Sequence, residues 1–248
     1  MRSTRFRSLL LCVCALALLA GQAWAAQESY RLKDGKVYRV AAGGKKKLLE
    51  EEEPKRNATE KGLYSWILVD PELSEGMKGS KSGIYFFFGE DEKPAGFLPF
   101  EGAAYCNLAF APNGDMFLVN FGADAVQDII LYAFDGLEKK AAFRGLGNNA
   151  WLDPVRFVFT RDDADKGSRG KGFDQQEGWL SVMVYDTVIK KLIPVREATE
   201  TQDYLLTGVD HDTGKLEILE RSVKDTKDWN APDRIEEKEL SIPIPAAG

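Results

Sequence analysis

Histidine and cysteine are almost missing from this 248-residue chain, which has one histidine, His211, and three cysteines. A single histidine excludes a histidine-rich zinc site and the H-E-x-x-H arrangement. A Ser-His-Asp triad would have to use His211, yet Asp210-His211-Asp212-Thr213-Gly214 reads as a tight turn exposed to water. No G-x-S-x-G elbow, P-loop or G-x-G-x-x-G occurs. Two of the cysteines, Cys12 and Cys14, lie in an N-terminal apolar run, so removal of that run leaves Cys106 alone. C-x-x-C redox chemistry and an intramolecular disulfide are then excluded. In Cys106-Asn107-Leu108-Ala109-Phe110, strand alternation places the thiol on the face of Leu108 and Phe110, the setting of a buried, inert cysteine.

The chain also lacks an apolar run long enough to span a bilayer, which needs about 20 residues. Its longest, residues 9–20, follows Arg2, Arg5 and Arg7 and precedes Ala23-Trp24-Ala25. That order of charge, apolar core and small residues is a secretory signal peptide cleaved after Ala25. Arg2 and Arg5 are not adjacent, which favours general secretion over the twin-arginine route, and Ala26 in place of a cysteine argues against a lipid anchor. The expectation is a periplasmic or secreted protein whose chain from residue 26 onward is soluble, without stable membrane insertion. Loss of the three arginines takes the formal charge from −6 to −9, a balance that disfavours nucleic acid and anionic membrane surfaces, which need basic patches. A hydrophobic fraction of 44% supplies enough apolar material for a core.

Helical spacing is scarce, whereas apolar and aromatic runs of four to eight residues recur between turn formers such as Lys33-Asp34-Gly35, Pro112-Asn113-Gly114 and Asp212-Thr213-Gly214. The pattern predicts an all-β fold occupying residues 26–248 as one domain, with a less regular tail from about residue 223. Strands are expected at 36–41, 46–50, 63–69, 83–88, 96–100, 105–110, 115–120, 128–134, 156–160, 179–186, 191–196, 203–209 and 215–221. A unit of apolar strand, turn and lysine-bearing return strand appears four times: Val37 to Val40 with Lys45 to Lys47, Tyr85 to Phe88 with Lys93, Leu131 to Phe134 with Lys139 and Lys140, and Met183 to Tyr185 with Lys190 and Lys191. Anchored on Val40, Phe88, Phe134 and Tyr185, its spacing is 48, 46 and 51 residues. A second match, at an offset of 47, sets Val158, Thr160, Asp163, Asp165 and Gly167 against Leu205, Thr207, Asp210, Asp212 and Gly214, so that Asp163 and Asp210 are expected in equivalent turns. A period in this range predicts a small four- or five-bladed β-propeller-like repeat fold. A large β-sandwich with hairpins of similar length is the alternative.

Phe110-Ala111-Pro112-Asn113-Gly114 resembles the strand-to-turn segment F-S-P-D-G of the WD-like repeats found in periplasmic propellers of the Tol-system type. The resemblance implies architecture over about residues 30–221 and carries no activity with it.

Candidate functional residues are few. Trp151 follows Gly147-Asn148-Asn149 and precedes Asp153-Pro154, so it reads as a loop aromatic. With Asp153, Arg156, Arg161 and the long loop 161–178, it forms the expected binding surface. Asp163-Ala164-Asp165-Lys166-Gly167 and Asp210-His211-Asp212-Thr213-Gly214 share D-x-D-x-G, which makes Asp163, Asp165, Asp210 and Asp212 candidate calcium ligands. The twelfth position counted from Asp210 is Arg221, where a calcium loop carries glutamate, and a turn shared through the repeat explains both copies without an ion. No catalytic residue and no cofactor is assigned. The sequence reads as an exported non-catalytic binding or scaffold protein of the bacterial cell envelope, its partner an envelope protein or glycan. Two readings stand beside it: a carboxylate-dependent hydrolase such as a propeller glycosidase, using aspartates gathered on one rim, and a structural envelope protein without a small ligand.

Overall fold

The computed structural model describes residues 29–40, 44–49, 53–72, 77–78, 80–91, 93–100, 106–122, 126–163, 166 and 179–246. Residues 1–25, read as a signal peptide, together with Asp165 and most of the loop 161–178, fall outside them. Among the described residues the fold is all-β and propeller-like in its repetition, a succession of antiparallel meanders with only short 3-10 turns besides. The chain divides into two compact units, Met1–Arg56 with Tyr64–Ala103 and Asn57–Leu63 with Ala104–Gly248.

In the first unit, β1 (Ser29–Lys33), β2 (Lys36–Val40) and β3 (Lys46–Leu48) form a three-stranded meander. Alternation turns Tyr30, Leu32 and Val37 to one face, where they meet Ile67, Val69, Tyr85 and Phe87 of the next sheet. That sheet has the order β4 (Lys55–Thr59), β5 (Gly62–Val69), β6 (Gly83–Phe88) and β7 (Gly96–Pro99). The end of β4, the turn after it and the start of β5, Asn57–Leu63, belong to the second unit.

The second unit holds a seven-stranded sheet running in chain order from β8 (Cys106–Phe110) through β9 (Met116–Phe121), β10 (Val126–Ala133), β11 (Lys139–Asp153), β12 (Arg156–Asp162) and β13 (Leu180–Asp186) to β14 (Lys191–Arg196). Strand β11 joins two four-stranded meanders. It pairs with β10 up to Leu146 and with β12 from Gly145, and its register breaks between Gly145 and Asn149. Gly145 is required there, because a Cβ would lie 2.2 Å from the Thr160 carbonyl oxygen. The two halves share a core, in which Leu118, Ile129 and Leu131 meet Trp151, Phe157, Phe159 and Tyr185. A last meander, β15 (Gln202–Asp210), β16 (Lys215–Ser222) and β17 (Glu236–Pro243), packs Tyr204, Leu206, Leu216 and Ile218 against Val158, Val182 and Val184.

The lysine-bearing repeat is structural. Its copies are the hairpins β2–β3, β6–β7, β10–β11 and β13–β14, and each turn contains a left-handed residue: Gly44, Gly89, Gly136 and Lys190, with φ of 76°, 60°, 71° and 55°. The second match does not mark equivalent positions. Strand β12 is interior to its sheet, whereas β15 lies at an edge, beside β16. Asp163 adjoins Trp179 at the end of β12, beside the start of β15, where Asp203 Oδ1 accepts from Leu180 N. Asp210 closes the far end of β15, about 23 Å away along a strand rising 3.3 Å per residue. The coincidence arose because strands that end in Asp-rich turns look alike wherever they sit in a meander.

Candidate functional site

Trp151 lies in β11 and belongs to the core. It is 6% exposed, packs edge-on to Phe157 and donates from its indole N–H to the Ala109 carbonyl at 2.9 Å. The loop expected around it is absent because the residues before it carry the strand through a bulge, where the Gly147 carbonyl accepts from Asn120 Nδ2 at 3.1 Å and from Asn149 Nδ2 at 3.4 Å. Asn149 Nδ2 donates to Asn120 Oδ1 at 2.7 Å, and Asn148 Nδ2 donates to the Leu206 carbonyl at 3.2 Å. Asp153 Oδ1 accepts from the backbone of Val155 and Arg156, while Oδ2 accepts from Arg156 Nε at 2.6 Å. Arg156 Nη1 reaches the Pro245 carbonyl at 2.7 Å. This pair therefore ties the β11–β12 turn to the C-terminal segment.

Arg161 sits at the other end of β12, about 16 Å from Arg156 by strand rise. The expected surface is thus split between two rims of the second unit. On one lie Asp153, Arg156 and the β15–β16 turn with Asp210 and Asp212, linked through Pro245 and through Ile244 N donating to the Gly214 carbonyl. On the other lie Arg161 and Asp163. Among the described residues no group of three or more metal-binding side chains converges. Asp210 is occupied within its own turn, where Thr213 donates from backbone N and Oγ1; the hydroxyl, and then the amide, hold its carboxyl below the usual carboxylate range.

The Arg161 rim carries a set of ion pairs around the β12–β13 connection. Asp163 Oδ1 meets Arg161 Nε at 2.8 Å and its Oδ2 meets Lys166 Nζ at 3.4 Å, while Lys166 lies 5.4 Å from the Trp179 ring centre. On the opposite face of the same strand pair, Arg144 Nε meets Asp162 at 2.7 Å, and the Asp162 side chain is wholly inaccessible. Asp203, also buried, accepts from Leu180 N at 3.1 Å and faces Arg221 at 3.4 Å. Three arginines are therefore each oriented by a carboxylate with little or no access to water, around the roots of the longest connection in the chain. Such held guanidinium groups suit planar anionic groups, carboxylate above all. Of this set the sequence singled out only Arg161 and Asp163. The missed signal was charge inside apolar strands: Asp162 ends Arg156-Phe157-Val158-Phe159-Thr160-Arg161, and Asp203 opens Tyr204-Leu205-Leu206.

No family model and no curated protein sequence matches this chain. Among solved structures it is similar to hydrazine synthase of Kuenenia stuttgartiensis, at 12% identity over 84% of this chain and 57% of that one, with a TM-score of 0.44. It is similar to TolB of Acinetobacter baumannii at 13% identity over 87% of this chain and 50% of that one, with a TM-score of 0.42. A eukaryotic initiation factor matches at 11% identity over 89% of this chain and 66% of that one, with a TM-score of 0.36. The chain spans about half the length of the first two, and likenesses this slight assign neither activity nor partner.

Proposed function

We propose that the protein is exported to the bacterial cell envelope and acts there as a non-catalytic binding or scaffold module. Its partner, an envelope protein or glycan with carboxylates on its surface, meets the rim around Arg161. The observation that carries this reading is the set of braced basic groups, Arg161 with Asp163 and Lys166, at the base of a long connection on a rigid β framework. Arg161 engages Asp163 through Nε, and its side chain is 36% exposed. Loops held by rigid scaffolds are where binding concentrates. The charged N-terminus, short apolar run and Ala23-Trp24-Ala25 site support export.

The test is capture from envelope extracts by the chain beginning at Ala26, which retains every described strand. Arg161→Ala with Lys166→Ala should abolish capture and leave the melting temperature nearly unchanged, since exposed ion pairs contribute about 0–1 kcal/mol each. Undiminished capture would overturn the assignment of this rim. Hydrolysis of an envelope polysaccharide that vanishes with Asp163→Asn would replace binding by the hydrolase reading.

A further inference from the structure

Lys166 occupies a site formed by an aromatic ring and a carboxylate of its own chain. Its Nζ lies 5.4 Å from the centre of the Trp179 ring, within the range of a cation–π contact, and 3.4 Å from Asp163 Oδ2. Both walls of the site are fixed. Asp163 Oδ1 meets Arg161 Nε at 2.8 Å, and Asp163 N donates to the Trp179 carbonyl at 3.0 Å. Trp179 leads into β13, whose first residue, Leu180, donates from N to the buried Asp203 carboxylate at 3.1 Å. The Asp163 side chain is 11% exposed, so its charge has little water to rely on and needs a cation beside it.

The occupant is held more loosely than the walls. A hydrogen bond from an ammonium to a carboxylate spans about 2.7–2.9 Å, and the Lys166 contact, at 3.4 Å, is longer. The Lys166 side chain is 45% exposed, and its backbone is placed by an N–H donated to the Asp163 carbonyl at 3.0 Å, independently of the ammonium. Part of the lysine charge therefore stays with water, and the pair contributes little to the fold. A rigid anionic and aromatic receptor can exchange such a lysine for another cation of the same form, because the receptor is already organised before the exchange.

We infer that Lys166 stands in for a lysine side chain of the partner, which displaces it from Trp179 and Asp163. The inference rests on the reading of the Arg161 rim as the binding surface, and it makes the partner a polypeptide that presents a lysine next to a carboxylate. Arg161 and the displaced ammonium share Asp163, so the carboxylate and the ammonium of the partner are received side by side. A primary ammonium on an aliphatic stem is what the site already holds, and this selects a lysine over a neutral sugar.

The probe is butylammonium, which reproduces the four-carbon stem and charge of a lysine, added to the chain beginning at Ala26. The indole N–H resonance of Trp179, assigned with Trp179→Phe, is expected to shift saturably with butylammonium and not with butan-1-ol. Lys166→Ala removes the competing ammonium and is expected to tighten binding by about tenfold, the factor for a site that its own lysine leaves open about one-tenth of the time. Asp163→Asn is expected to abolish the shift, with circular dichroism confirming that each variant folds. The absence of a saturable shift in both the unaltered protein and Lys166→Ala overturns the inference, as does equal affinity of the two or an equal response to butan-1-ol. Butylammonium carries no carboxylate, which separates the two readings. Envelope capture that depends on Arg161 without any binding of the probe overturns this inference alone, whereas binding of the probe with capture unaffected by Arg161→Ala overturns the Arg161 reading. Capture that survives acetylation of the lysines in the extract overturns the assignment of the occupant as a partner lysine.

Discussion

Replacement of Trp151 by alanine separates a core role from a binding role for this residue. The side chain is 6% exposed and sits among Phe157, Phe159, Met183 and Tyr185. Truncating a buried aromatic of this size costs about 3–5 kcal/mol, because the surrounding β framework closes only partly over the cavity. Loss of the indole N–H strands the Ala109 carbonyl, adding about 1 kcal/mol. The sum, roughly 4–6 kcal/mol, corresponds to a fall of roughly 10–20 °C in melting temperature for a chain of this length. Urea unfolding followed by far-ultraviolet circular dichroism, which does not depend on tryptophan fluorescence, measures the loss. Trp151→Phe refills most of the space and forfeits the hydrogen bond, so about 1–2 kcal/mol is expected. A loss below about 1 kcal/mol for Trp151→Ala would refute the packing argument and return the residue to the surface.

Gly145→Ala should prevent stable folding of the second unit, since the added Cβ would meet the Thr160 backbone oxygen at 2.2 Å and Ile129 Cδ1 at 3.1 Å; expression yield and circular dichroism check this. Thr160→Val keeps side-chain volume and removes the acceptor for Leu206 N at 2.8 Å, at a cost of about 1–3 kcal/mol by urea unfolding. Cys106, 3% exposed, should resist thiol reagents in the native protein and react fully in denaturant. Asp210 should titrate by NMR below the usual carboxylate value of about 4, and Thr213→Val should move it upward. Because the folded value is depressed, the stability Asp210 contributes is present above the ordinary carboxylate range and is lost as pH falls through the folded value.

Where apolar character and turn chemistry coincided, the fold was legible in the sequence. The strands from Gly83 to Phe88 and from Leu180 to Asp186 are buried along nearly their whole length, and their continuous apolar runs say so. Strands at edges were hidden. The β17 segment Glu236-Glu237-Lys238-Glu239-Leu240-Ser241-Ile242-Pro243 is exposed over its first four residues, so charge, which protects an open edge, masked its apolar Leu240 and Ile242. The β4 segment Lys55-Arg56-Asn57-Ala58-Thr59 was hidden in the same way. Strand β11 was concealed by Gly145, Gly147, Asn148 and Asn149, residues that ordinarily end strands and here build the bend between two meanders. The candidate site was legible only in part. Arg161 and Asp163 stand two apart on one strand face, whereas the pairings of Arg144 with Asp162 and of Arg221 with Asp203 join residues 18 apart, a relation that sheet register creates and local pattern does not display.

Photo-cross-linking in living cells tests the Arg161 rim most directly. A photoreactive residue placed at Lys166 reports on that rim, and one placed at His211 reports on the opposite rim. Both positions are exposed, so neither substitution disturbs packing. The account predicts a discrete adduct with an envelope component from position 166, lost when Arg161 is also replaced by alanine, and no such adduct from position 211. Adducts from position 211 alone, or the same adduct from both positions with or without Arg161, would contradict it.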